Sequence, residues 1–182
     1  MGLPNNYIPA ANTVIPASII DIAKAIKSQL VAVAGFQPTA VFITSKRAKE
    51  IPHIVGEKDC ILRCGREIPD AAAIRGTGGL NDQRTRTLTL TIRTRMALDK
   101  AGSDSKHLLN EDTGHIATED AVFNALEILL WPTDIAGNAI TNNPIRLGEL
   151  SEAETDPQAP EWLSSYVGIE CDYSRKLTPQ MR

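Results

Sequence analysis

Residues 84–98 read R-T-R-T-L-T-L-T-I-R-T-R-M-A-L, the longest strict alternation in the chain. Leu88, Leu90, Ile92, Met96 and Leu98 share one face of an extended strand, and Thr85, Thr87, Thr89, Thr91, Arg93 and Arg95 share the other. Threonine is β-branched and favours strands, so local propensity agrees with the pattern. At ~3.3 Å per residue the segment would span roughly 50 Å, well beyond the common strand length. Such a strand outruns the core of a small domain. Its spare length, with arginines at both ends, points to a surface that meets another protein.

Upstream of this strand, Pro4, Asn5, Asn6, Pro9 and Asn12 make residues 1–15 an extended arm. Pro16 then opens a helix, with Ser18 and Asp21 at capping-box spacing. Ile19, Ile22, Ala23, Ile26 and Leu30 form its apolar stripe, and Gly35 marks its end. Residues 39–44 (T-A-V-F-I-T) and 59–64 (D-C-I-L-R-C) read as short strands, with a small basic cluster at Lys46, Arg47 and Lys49 between them. Residues 65–82 form a long connection centred on R-G-T-G-G-L.

Downstream, residues 100–117 read as a solvated loop. Thr118 caps a second helix, with Glu119 and Asp120 at its positive end and Val122, Ala125, Leu126, Leu129 and Leu130 as its buried stripe. Pro132 marks the exit. Residues 144–150 alternate imperfectly, 151–160 form an acidic loop, and 162–177 carry a second half-buried strand. This order predicts an α+β fold: a mainly antiparallel sheet with two helices packed on one face, and a long β-hairpin or extended strand. We read one domain over 16–177 and a C-terminal tail at 178–182.

With 182 residues, 42% of them hydrophobic and 23% charged, the chain can build a core without staples. A net charge of −3 gives no general pull toward nucleic acid. The apolar runs are far shorter than a membrane span. The N-terminal residues lack the layout of a secretory signal, and Asn6 stands where a myristoylation motif needs Ser or Thr. Three cysteines, Cys60, Cys64 and Cys171, suit free thiols in a reducing compartment. Cys60 and Cys64, about 13 Å apart on one strand face, are too distant for a bridge.

Chemistry is sparse. The glycine-rich loop lacks the Gly-Lys-Ser/Thr ending of a phosphate-binding loop and has no helix pattern after it, so it reads as a loop that orders on a partner. His107, Glu111, Asp112 and His115 match no metal-ligand spacing. No G-x-S-x-G elbow is present. We therefore expect no enzyme, no cofactor and no metal.

The order of elements now has a resemblance. An amphipathic N-terminal helix leads to short strands and a long Thr/Arg strand ending in M-A-L-D. A helix of the type E-D-A-V-F-N-A-L-E-I-L-L follows, then I-R-L-G-E-L, an acidic loop, and W-L-S-S-Y-V-G-I-E-C-D-Y-S-R-K-L. Over roughly residues 18–177 this resembles the tail terminator (tail-completion, minor tail) proteins of long-tailed bacteriophages. The resemblance implies a homohexameric ring that caps the tail tube, stops its polymerisation and gives the head-side connector a docking surface. It implies partners in the tube and connector proteins, no membrane, no sequence-specific nucleic acid although DNA passes the ring lumen, and a place at the head-proximal end of a non-contractile tail in the virion, reached from the host cytoplasm. The family has no catalytic residues to carry over. A head-closure or neck adaptor, a tail-tube protein, or a small-molecule-binding enzyme subunit resting on the Gly-rich and His-containing loops are the alternatives.

A ring needs one face of a subunit to meet a different face of the next. The expected complementary patches are Arg84, Arg86, Arg93 and Arg95, with Arg75 in the loop, against Glu149, Glu152, Glu154 and Asp156. Equally, these charges keep both surfaces solvated. On the first reading, reversing Arg93 and Arg95 to Glu leaves the fold intact and weakens assembly.

Overall fold

A computed structural model of the chain describes residues 14–52, 56–69, 82–96, 108–109, 114–156 and 159–175, excluding the side chains of residues 49, 66–69, 82 and 156. The alternating segment is the centre of the sheet. As strand β3 (Asp82–Arg95) it pairs antiparallel with β2 (Lys58–Pro69) on one side and β6 (Ala159–Arg175) on the other. Strand β1 (Val41–Thr44) adds in parallel to β2, while β4 (Arg146–Leu150) and β5 (Glu154–Asp156) both add antiparallel to β6. The order is β1-β2-β3-β6-β4, with β5 also on β6. The α+β architecture expected from sequence is present, including the long hairpin of β2 and β3.

Side-chain alternation sorts the rows. Cys60, Ile92 and Ser165 are cross-strand partners, as are Leu62, Leu90 and Val167, and Cys64, Leu88 and Ile169. These rows face the helices. The rows between them, Ile61 with Thr91 and Tyr166, and Arg63 with Thr89 and Gly168, face the other way.

Helix α1 (Ile19–Ala32) starts at a capping box: the Asp21 N–H donates to Ser18 Oγ at 3.2 Å, and the Ser18 N–H donates to Asp21 Oδ2 at 3.0 Å. Its buried residues are the five of the predicted stripe. Burying each of the larger ones, Ile19, Ile22, Ile26 and Leu30, contributes roughly 1.5–3 kcal/mol. Gly35, at φ 67, lets the chain turn back toward the sheet. Helix α2 (His115–Leu129) packs beside α1 and contributes Val122, Ala125 and Leu126 to the same core.

Several boundaries differ from the sequence reading, each for a physical reason. Helix α2 begins at His115 with Gly114 as N-cap, so Thr118 lies within the first turn, where its hydroxyl donates to the Gly114 carbonyl at 2.9 Å. His115 is therefore a fully buried helical residue and not part of a solvated loop. Leu130 is the C-cap and is exposed. Strand β2 continues past Cys64 to Pro69, because pairing with β3 outweighs the polar look of G-R-E. The acidic loop contains β5, whose pairing with β6 supplies order that local composition does not signal. Residues 39–40 belong to a 3₁₀ turn (Pro38–Ala40) ahead of β1. The arm through residue 13, the glycine-rich loop with Arg75, His107, Glu111, Asp112, and the tail from 176 onward lie outside the described residues.

The β2–β3 ladder shifts register between Cys64 and Glu67, and Gly65 sits at that bulge. A Cβ on Gly65 would come 2.3 Å from the Thr87 carbonyl oxygen, which is backbone and cannot swing aside. Gly65→Ala is expected to destabilise the fold by about 1–3 kcal/mol through this overlap. A urea midpoint equal to that of the parent chain would contradict the tight approach.

Candidate interaction surface

The helices cover one face of the sheet, and among the described residues the opposite face is largely uncovered across β3 and β6. Threonine hydroxyls dominate it, because the outward positions of β3 are Thr85, Thr87, Thr89 and Thr91. Tyr166 stands on this face with 57% of its surface exposed. Beside it lies a shallow pocket of about 230 Å³ lined by Ala48, Ile61, Arg63, Thr89, Thr91 and Tyr166. No hydrogen bond among the described residues uses the Arg63 guanidinium, so its donors stay available to a ligand or partner.

One end of the open face is covered. The chain between β1 and β2 lays residues 45–52 across it, through the 3₁₀ turn Ala48–Glu50. Arg93 pins this segment. Its Nε and Nη2 donate to the two Asp59 carboxylate oxygens at 2.6 and 2.7 Å, and Nη1 and Nη2 donate to the Ile51 and Pro52 carbonyls at 3.0 and 3.3 Å. The Trp162 ring lies 5.9 Å from the guanidinium carbon. Arg93 is 2% exposed and Asp59 0%.

This placement corrects the expected interface. Arg93 is a core group with all its contacts internal, unable to reach a partner surface. Reversing it to Glu would put two carboxylates in one buried site, so the fold cannot stay intact in that variant. Arg84 and Arg86 point to the helix-side face, opposite Tyr173 and Cys171, and the Arg86 Nε donates to the Gly65 carbonyl at 2.7 Å. Arg95 is exposed, at the other end of the strand on the open face. The four arginines thus divide between two faces and two ends, and do not form a patch. Glu149, Glu152 and Glu154 are exposed along the β4–β5 edge. Asp156 closes β5, and Arg75 lies outside the described residues.

A second charged group stabilises the open face near β4. Arg146 donates to Glu170 through Nε (3.1 Å) and Nη2, and to Asp172 through Nη1 at 2.9 Å. Asp172 also accepts from Thr85 Oγ1 at 2.6 Å and Asn143 Nδ2 at 3.1 Å. Partial burial pushes the Asp172 carboxyl up, but the donors of Arg146, Thr85 and Asn143 outweigh it and hold it below the usual carboxylate range.

The most reactive-looking cluster lies inside. His115 Nδ1 meets Thr94 Oγ1 at 2.7 Å, and its Nε2 meets Ser165 Oγ at 3.0 Å and Glu119 Oε1 at 3.1 Å. The Ser165 hydroxyl donates to Glu119 Oε1 at 2.5 Å. With that proton committed to the carboxylate, Ser165 can only accept from His115, so Nε2 carries hydrogen. A nucleophilic serine needs the reverse: a bare imidazole nitrogen facing its hydroxyl. His115 and Ser165 are also 0% and 1% exposed. The cluster joins α2 to β3 and β6 as a polar clamp. Burial pushes the Glu119 carboxyl up, but hydrogen bonds from His115 and Ser165 outweigh it and leave it below its ordinary value. The His115–Glu119 spacing of four was visible in sequence. The partners Thr94 and Ser165, and Asp59 for Arg93, were not, because they come from distant strands.

The three cysteines are free. Burial pushes the Cys171 thiol up to about 12 and the Cys60 thiol well above its usual range, so neither is a poised nucleophile. Among the described residues no group of three His, Cys, Asp or Glu could hold a metal ion, and no helix is long and apolar enough to cross a membrane. A larger groove, about 1230 Å³, runs between α1 and residues 133–140, with mainly aliphatic walls from Ala25, Val31, Leu129 and Ile140. Comparison of the sequence with protein-family models and with curated proteins finds no match to either.

Proposed function

We propose that this chain is a structural component of a phage virion, a tail terminator whose copies form a ring that caps the tail tube and offers a docking surface to the head-side connector. Two lines support the reading. The order of helices and strands resembles that family over most of the domain. The observation that carries it is the polar face of β3 and β6, a β surface with an exposed tyrosine and, among the described residues, no helix over it. Flat sheet faces carrying hydroxyls and an aromatic suit protein contact better than a small substrate, which needs a concave site. The reading involves no catalysis. The hexameric state, the tube and connector partners and the location in the virion are parts of this proposal.

The test is assembly. Purified protein added to elongating tail tubes is expected to stop their growth and to appear in negative-stain images as rings at tube ends. Tubes that grow to the same length distribution with and without the protein would exclude the terminator role. Tubes lengthened by its incorporation would favour a tube subunit instead.

A further inference from the structure

We infer that two opposite edges of this sheet recognise each other between copies of the chain, a basic β1–β2 edge on one copy docking on the acidic β4–β5 edge of the next. The inference rests on the ring-forming reading above and deepens it by assigning the surfaces. On the first edge, Lys46 and Arg47 lie two and three residues past Thr44, the β1 residue paired with Arg63. Lys46 and Arg47 are exposed, and the Arg63 guanidinium is not used by any hydrogen bond among the described residues. Glu50 is also exposed there, with a carboxylate oxygen accepting the Arg47 N–H at 3.2 Å, so the edge keeps a net positive charge from the three cations. On the other edge, Glu149, Glu152 and Glu154 are exposed, and the neighbouring cation, Arg146, is already held by Glu170 and Asp172.

Geometry keeps the two groups from satisfying each other within one subunit. Going from β2 through β3 and β6 to β4 takes three interstrand steps, about 14 Å at ~4.8 Å each. Between them on the open face, the Arg63–Thr89–Gly168 row is low, because Gly168 has no side chain and Gly148 lies against it. Complementary charges at opposite edges of one sheet define a head-to-tail contact. Repeated by rotation, such a contact closes a ring, whereas a two-fold dimer would need one patch complementary to itself.

Two triple variants test this: Lys46→Glu/Arg47→Glu/Arg63→Glu, and Glu149→Lys/Glu152→Lys/Glu154→Lys. Five of the six are exposed and Arg63 is half-buried at the pocket wall, all lie outside the buried clusters, and thermal melts check that each variant folds. Mass is read by sedimentation at low ionic strength. Each variant alone is expected to associate at least ~10-fold more weakly than the parent chain, since like charges then face each other. An equimolar mixture of the two is expected to recover the parent's assembled mass, because each supplies the sign the other lost. Recovery should fade as salt rises toward ~0.5 M. If the parent assembles and both variants assemble equally well alone, the edge assignment is overturned while the ring reading stands. If the parent stays monomeric over the whole concentration range, the self-recognition is overturned, and the tube-capping assay then decides the functional reading separately.

Discussion

Arg93→Ala should lower the melting temperature by on the order of 10 °C. Removing one partner from a buried, bidentate ion pair destabilises by about 3–5 kcal/mol, because the remaining charge loses its compensation in a low-dielectric site. For a domain of this size each kcal/mol shifts the melting temperature by roughly 2–4 °C. The stranded group is Asp59, fully buried under residues 51–52, whose carbonyls also lose their donor. Arg93→Lys keeps the charge but not the two-pronged geometry, so it should fall between the parent and the alanine variant. Replacing both Arg93 and Asp59 by apolar residues of similar volume is expected to cost less than either single change. Arg95→Glu, at an exposed position two residues on, should leave the melt nearly unchanged. A near-parent melt for Arg93→Ala would remove the ion pair from the list of what holds this fold together.

The second large effect belongs to the His115 clamp. His115→Ala deletes a fully buried ring and leaves Thr94, Ser165 and Glu119 short of partners, for an expected loss of about 3 kcal/mol. The clamp also has a pH signature. In the folded chain Glu119 sits below its ordinary carboxylate value, so the unfolded chain takes up its proton first as pH falls. Its stabilising contribution is fully present above the unfolded value, about 4.3, and is lost as pH drops through the lower folded value. Glu119→Gln cannot titrate. Its stability should therefore decline less steeply between pH 5 and 3 than the parent's, with Asp172 supplying the acid dependence that remains. Parallel curves for the two proteins, measured as urea midpoints, would show that Glu119 contributes no such linkage.

Legibility in the sequence followed the range of the interactions. The β3 alternation as far as Arg95, the α1 stripe and its Ser18–Asp21 cap are set by neighbours within a few residues, and each is present in the fold, while Leu98 lies outside the described residues. Thr118 looks like a cap in sequence, yet the N-cap of α2 is Gly114, four residues earlier. The true first turn is held from across the core, through His115 to Thr94 and Ser165. Similarly, β5 and the far half of β2 exist because partner strands hydrogen-bond them, against weak local composition. For the surface, Glu149, Glu152 and Glu154 lie exposed where the acidic run placed them. Arg93 occupied an outward position of the alternation yet is buried, since outward from the helices is still inward where residues 45–52 cross the sheet. Periodicity tells which face a residue takes. It does not tell what else lies on that face.

The pairing of β3 with β6 has a bearing on how a nascent chain fares. Strand β3 is synthesised more than sixty residues before β6, and until residue 175 emerges its whole far edge is without the strand that covers it. The β2–β3 hairpin can form early from local contacts, but its apolar row of Leu88, Leu90 and Ile92 then borders an open ladder rich in β-formers. Ribosomal stalling or proteolysis that removes β6 would expose a sticky template, so fragments ending near residue 150 should accumulate as aggregates and draw chaperones.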